Sequence, residues 1–311
     1  MTCIKRISAA MLSLTVLLLT SCGSLYKPEK SDTPIITVTS FPLYDMAKSL
    51  VGEKANVVCL LSPGAESHDF DPSIKDIGNV ADSALFIYCG NGLETWAEDI
   101  ISGAGGSAKA LDVSAGISLL YQHDDDNDDK DDDDGHTHGA DPHIWTSPCN
   151  MLVMTDTVYN ALREADLADE DGYNAYKASL EKLDEHCIEL SELQKESGKT
   201  LFFGDAFAFI YLMENYGFKY VSTYPGCSDD IEPSISRISE VTGLIAAEKP
   251  KAVFRAERSN GKIAASLAET ADAEVLELHS CHNLTAEEYK HGETYFSLMS
   301  KNLDNIEKVI S

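Results

Sequence analysis

Apolar positions along this chain follow two rhythms. Short β-branched and aromatic runs recur as IITVTS (35–40), NVVCLL (56–61), ALFIYC (84–89) and KALDVS (109–114), then as TLFFG (200–204), YVSTY (220–224), KAVFRA (251–256) and EVLELH (274–279). Between them lie stretches such as YDMAKSLVG and ISRISEVTGLIAAE, whose apolar residues fall on one helical face, with Ser234 placed to cap the second. Buried strand runs alternating with amphipathic helices predict parallel α/β units. The expected fold class is α/β, with two lobes, each a parallel sheet flanked by helices, over 35–172 and 198–311.

Between the halves the pattern changes. Over 173–197 the chain is highly charged, yet Tyr176, Leu180, Leu183, Cys187, Leu190 and Leu193 form a single apolar stripe, and no glycine or proline interrupts it up to Glu196. One long rigid helix joining the lobes is the expectation. Open parallel sheets bind ligands beyond the carboxyl ends of their strands. Two facing lobes therefore put a site in the cleft between them.

The N-terminus sets the expected compartment. Lys5 and Arg6 precede an apolar run from Ile7 to Leu19, too short to span a bilayer comfortably, and the run ends in LTSC at Cys22. This resembles the bacterial lipobox, with residues 1–21 a signal peptide, Cys22 the lipidated residue and 22–34 a polar tether. The alternative is an ordinary secretory signal cut slightly later. The lipoprotein reading makes the protein exported and anchored by lipid to the outer face of a membrane, at the cell surface or in the periplasm.

Charge narrows the partners. The formal net charge is −28, and removing residues 1–21 would take away two cations and no acid. Such a surface repels nucleic acid and attracts cations. Nine aspartates crowd between His123 and His136 within an acidic loop expected to be disordered over 121–140. Cysteine spacing offers no C-x-x-C; Cys227 and Cys281, each in a polar loop, are the candidates for a cross-link. No P-loop, nucleophile elbow or dinucleotide fingerprint occurs.

Histidines carry the candidate chemistry. His68 follows a strand in LSPGAESHDFDPS, His143 sits in DPHIW just beyond the acidic run, and His279 closes EVLELH. A lone histidine is usually a hydrogen-bonded loop residue. Three at strand ends in both halves point to a borderline divalent metal, for which imidazole is a good ligand.

These blocks resemble one family. SFPLYDMAKSLVG (40–52), LSPGAESHDFDPS (61–73), ALFIYCGNGLETW (84–96), DPHIWTSP (141–148) and ETADAEVLEL (269–278) are similar, in this order, to the solute-binding lipoproteins of bacterial metal-uptake ABC transporters, the zinc and manganese group called cluster A-I. The resemblance implies two α/β lobes joined by a rigid helix. It implies His68 and His143 as the first two ligands. The family's third ligand falls at Gly204 here, which has no side chain, and the fourth, usually an aspartate, falls at His279.

The expected site is therefore His68, His143 and His279, with Asp205 or a water completing the shell, and Glu257 and His282 in reserve. Three imidazoles favour Zn2+, with manganese or iron as the alternative cargo. The resemblance also implies that the acidic loop gathers cations, with His123, His136 and His138 holding zinc weakly.

The function implied is capture of zinc by a monomer and its delivery to an ABC permease and its ATPase. The expectation is not an enzyme. A zinc-dependent hydrolase is the alternative from another class, against which no H-E-x-x-H or comparable motif is present. A surface adhesin is neither supported nor excluded by the residues.

Overall fold

The computed structural model describes residues 33–65, 70–90, 94, 96–105, 109–121, 140–224, 226 and 233–311. In chain order the first half contains β1 (Ile35–Val38), α1 (Phe41–Val51), β2 (Asn56–Cys59), α2 (Ile74–Ala81), β3 (Leu85–Tyr88), α3 (Ala97–Gly103), β4 (Ala110–Asp112) and α4 (Pro148–Glu164). The long helix α5 (Glu170–Ser197) follows. The second half contains β5 (Leu201–Phe203), α6 (Ile210–Tyr216), β6 (Tyr220–Ser222), α7 (Ile235–Glu248), β7 (Ala252–Ala256), α8 (Lys262–Ala271), β8 (Glu274–Leu278), α9 (Ala286–His291) and α10 (Tyr295–Ile310). Each apolar run in the sequence yields one of these strands.

Every strand pairing within the two sheets is parallel, and the sheets share one order: β2-β1-β3-β4 and β6-β5-β7-β8. Side-chain alternation splits each sheet into two faces. In β3, Leu85 and Ile87 enter the main core, while Phe86 joins Val80 and Ile100 of α2 and α3 on the other face. In β5 and β7, Leu201, Phe203 and Phe254 enter the main core, while Phe202 and Val253 meet Val241 of α7 and Leu267 of α8. The main core is continuous between the lobes.

Helix α5 packs on α1 and α4 of the first lobe and on α10 and α6 of the second. The apolar stripe is what it buries: Tyr176, Leu180, Leu183, Cys187 and Leu190 are all buried, with Leu193 partly so. Its ends are fixed by close approach and by hydrogen bonds. A Cβ on Gly172 would sit 2.1 Å from the Ser49 carbonyl oxygen, so only glycine lets α5 lie this near α1. At the other end the Gln194 amide donates to the Lys219 carbonyl and accepts from the Lys219 N–H, both at 2.8 Å.

Helix starts are encoded locally. Ser73 and Ser234 each accept from the backbone N–H three residues on, opening α2 and α7, and Pro42 and Pro148 stand in the first turns of α1 and α4. Among the described residues no helix is long and apolar enough to cross a membrane. The lipidation residue Cys22 and the possible cross-link partner Cys227 lie outside the described residues. Cys281 is buried, and its thiol donates to the His279 carbonyl at 3.6 Å.

Candidate metal centre

His143 is fixed by the residue two before it. One oxygen of Asp141, Oδ1, accepts from both the backbone N–H and the Nδ1–H of His143, each at 2.9 Å, and both side chains are buried. Holding the proton on Nδ1 selects the tautomer whose Nε2 lone pair suits a metal. Asp141 is itself held, its N–H donating to the Leu120 carbonyl and its carbonyl accepting from the Tyr211 hydroxyl of α6. Tyr211 also accepts from Leu120 N–H, and Tyr121 bridges to Ala140 in antiparallel fashion. The two ends of the acidic segment thus meet beside His143. His123, His136 and His138 lie outside the described residues.

The ring that stands against His143 belongs to His282. Their centroids are 5.7 Å apart and their planes nearly perpendicular, and both rings touch Trp145, at 5.2 Å for His143 and 4.9 Å for His282. Trp145 is 1 % exposed and crosses the junction: its indole N–H donates to the Ser280 carbonyl, and its own carbonyl accepts from Tyr295 of α10. This tryptophan therefore sets the distance between the two histidine-bearing segments as well as filling space.

His279 sits deeper in the same loop and is engaged differently. Its backbone is clamped by Asn302, which accepts from its N–H at 2.8 Å and donates to its carbonyl at 2.7 Å. Its Nδ1 accepts from the Cys281 N–H at 2.9 Å, which puts the neutral ring's proton on Nε2, 3.5 Å from Glu288 Oε1. Burial alone would raise the Glu288 carboxyl, but Thr285 and the His279 ring outweigh it and hold it below the usual carboxylate range. Glu257 is occupied as well, accepting from the Ser280 hydroxyl at 2.7 Å and the Ser280 N–H at 3.0 Å.

The turn that separates the two histidines is strained. Cys281 adopts φ +58°, a left-handed conformation that a non-glycine residue rarely takes. That twist, pinned by the bond from Cys281 N–H to the His279 ring, divides His279 toward Glu288 and His282 toward His143.

Gly204 directly follows β5, with its N–H on the Phe254 carbonyl. A Cβ there would lie 2.5 Å from the Ala264 Cα at the start of α8, so no side chain fits without moving that helix. The absence of a ligand at this place is a matter of packing. Asp205, next in the chain, is 6 % exposed at the carboxyl end of the strand. Among the described residues no group of three or more His, Cys, Asp or Glu side chains stands ready to hold a metal ion. His68 lies outside the described residues, but the turn leading to it does not. Ser62–Ala65 receives Arg258, Asn283 and Leu284 from the second half.

Sequence reasoning placed His143 at the junction but held His282 only in reserve. The signal for His282 was its position four residues past the end of β8, which by itself does not say which way a ring will face.

Comparison with known proteins agrees with this architecture. The chain is 31% identical to the zinc-binding lipoprotein AdcA of Streptococcus pneumoniae (strain ATCC BAA-255 / R6), over 96% of this chain and 60% of AdcA. It thus spans less than two thirds of that relative's length. Against the high-affinity zinc uptake system protein ZnuA of Bacillus subtilis (strain 168) the identity is 30%, over 93% of this chain and 92% of ZnuA. The crystal structure of the Zn(II)-bound ZnuA-like domain of Streptococcus pneumoniae AdcA superposes with a TM-score of 0.70 at 26% identity, covering 89% of this chain and 99% of that one. Residues 36–309 match the family described as ZnuA, zinc-uptake complex component A, periplasmic, and the chain belongs to that family.

Proposed function

We propose that this protein is the extracytoplasmic solute-binding component of an ABC zinc-uptake system, taking Zn2+ as cargo at the junction of its lobes and handing it to a membrane permease driven by an ATPase. The observation that carries the reading is the buried pair His143 and His282, one ring from each half, with the first locked by Asp141 in a ligand tautomer. Family membership and the names of the relatives support zinc as the cargo. Imidazole donors favour zinc over manganese, which prefers oxygen-rich shells.

The proposed donors are His68, His143 and His282, with Asp205 or a water as the fourth. His282 takes the place that the sequence pattern suggests for His279, because its ring stands against His143, whereas the His279 Nδ1 accepts from Cys281 N–H and its Nε2 lies 3.5 Å from Glu288 Oε1 without a hydrogen bond. His279 then braces the loop. A binding role also fits better than hydrolysis, since Glu257, a half-buried carboxylate beside the loop, is committed to Ser280 and is not held for activating water. Export, lipid attachment at Cys22 and a monomeric carrier belong to this reading. So does weak zinc capture by His123, His136 and His138.

Competition titration against a zinc chelator tests it. His143→Ala and His282→Ala should each weaken zinc binding by more than the roughly 10–100-fold typical of an outer-shell partner, and His279→Ala should stay within that range. Wild-type affinity in His282→Ala, with loss in His279→Ala, would return the donor role to His279. A wild-type chain with no tight zinc site would end the transport reading.

A further inference from the structure

Two imidazoles meet at the junction, and one indole touches both. The Trp145 ring lies 5.2 Å from His143 and 4.9 Å from His282, centroid to centroid, and the two histidine rings are 5.7 Å apart. The indole is tied at both ends. Its own carbonyl accepts from the Tyr295 hydroxyl at 2.7 Å, and its N–H donates to the Ser280 carbonyl at 2.9 Å.

The same ties reach the backbone of each histidine. Trp145 sits in the short turn Ile144–Thr146, where the His143 carbonyl accepts from the Thr146 hydroxyl at 2.8 Å and from the Thr146 N–H at 3.1 Å. On the other side, Ser280 takes the indole N–H on its carbonyl and the His282 N–H on its hydroxyl, the latter at 3.3 Å. Glu257 holds Ser280 from behind. Both rings therefore hang from main chain that Trp145 helps to fix.

The spacing can be compared with what one shared ion requires. Two imidazoles bound through one nitrogen each to tetrahedral zinc, with bonds of about 2.0–2.1 Å, have centroids about 5.2 Å apart. An octahedral ion such as manganese, with bonds of about 2.2 Å, needs about 4.7 Å across a right angle or about 6.7 Å across a straight line. The observed 5.7 Å is nearest the tetrahedral value. Moving to either octahedral spacing must slide both rings across a buried side chain that is itself held in place.

We propose that Trp145 is a positioning residue for cargo selection: it holds His143 and His282 at a spacing that suits a tetrahedral ion and disfavours cations that demand an octahedral shell. The inference deepens the zinc-binding reading above and rests on it. Donor type and donor spacing are separate sources of selectivity, and Trp145 supplies the second without touching the ion.

Chelator competition with Zn2+ and with Mn2+, on the full mature chain, tests the role. Trp145→Phe keeps an aromatic ring and removes the N–H that holds Ser280. The ratio of zinc to manganese affinity should fall by about 10–100-fold, the range of an outer-shell partner. Loaded with Co2+, this variant should lose the intense visible absorption of a tetrahedral site. A merely structural role would lower the melting temperature and weaken both metals alike, leaving the ratio and the cobalt spectrum unchanged.

Tyr295→Phe is the second variant, since Trp145 is buried and its replacement can disturb folding. It leaves the indole intact and removes only the hydroxyl on the Trp145 carbonyl, so the ratio should fall in the same direction by a smaller factor. A wild-type ratio in every variant that folds would overturn the proposal, and loss of zinc binding in His143→Ala and His282→Ala would then leave the zinc reading standing. Wild-type zinc affinity in both histidine variants would overturn that reading and the proposal with it.

Discussion

Asp141 and His143 form a closed ring of contacts in which one carboxylate oxygen accepts from both the main chain and the imidazole of the same residue, at 2.9 Å each. The pair fixes ring orientation and proton position together, and it raises the basicity of the opposite nitrogen. Removing the carboxylate in Asp141→Ala should weaken zinc binding by about 10–100-fold while leaving the fold intact, and Asp141→Asn should fall at the lower end of that range. Chelator competition alongside circular dichroism measures both.

Gly204 offers a test of whether the third donor position of this family can be restored. A histidine placed there meets the Ala264 main chain before it reaches any cation. Gly204→His should lower stability by about 1–3 kcal/mol or more, as overpacked cores do, and should not tighten zinc binding. Denaturant unfolding and zinc titration of the same preparation would check the two halves of that expectation.

Glu94 provides a prediction about acidity. Burial pushes its carboxyl up to about 8, against the opposing pull of Thr39 and the Cys89 N–H, the latter bonded at 2.6 Å. A raised folded-state value means that the native protein keeps a proton which the unfolded chain has already lost. The resulting stability is full below the ordinary carboxylate range and is lost as pH rises through about 8. Metal-free protein should therefore melt at lower temperature at pH 8 than at pH 5 by way of this group. Glu94→Gln, which keeps an acceptor for Cys89, should flatten that dependence and raise the melting temperature at the alkaline end.

The acidic segment is separable from the junction because its ends are already joined. Tyr121 pairs with Ala140, and Tyr211 holds both Leu120 and Asp141. Deleting residues 123–138 should leave one tight zinc equivalent and remove only weak additional ones. Calorimetry of the two forms decides this, and loss of the tight equivalent would show that the segment belongs to the site itself.

The central strands were legible because they are largely buried on both faces, and a run such as LFIY or AVFRA has few other places to go in a chain of this length. Helix α5 was legible from its uninterrupted stripe. His143 could be placed because Asp, Pro and Trp surround it in a pattern with a physical purpose, now visible as the bond to Asp141 and the bridge to Ser280. His282 was harder to read because its direction depends on Cys281 adopting a left-handed turn, which sequence normally announces with glycine or asparagine. Arg258 gave no signal at all. Its partners are main-chain carbonyls more than 190 positions away, and carbonyls have no letter in the sequence.

Helix α5 has a consequence for recognition. Its 28 residues form a rod about 42 Å long that is bolted to both halves, at Gly172 against Ser49 and at Gln194 against Lys219. Under the proposed carrier role, such an axle would hold nearly the same outline with and without cargo. A membrane partner that tells the two forms apart would then have to read the rim of the junction.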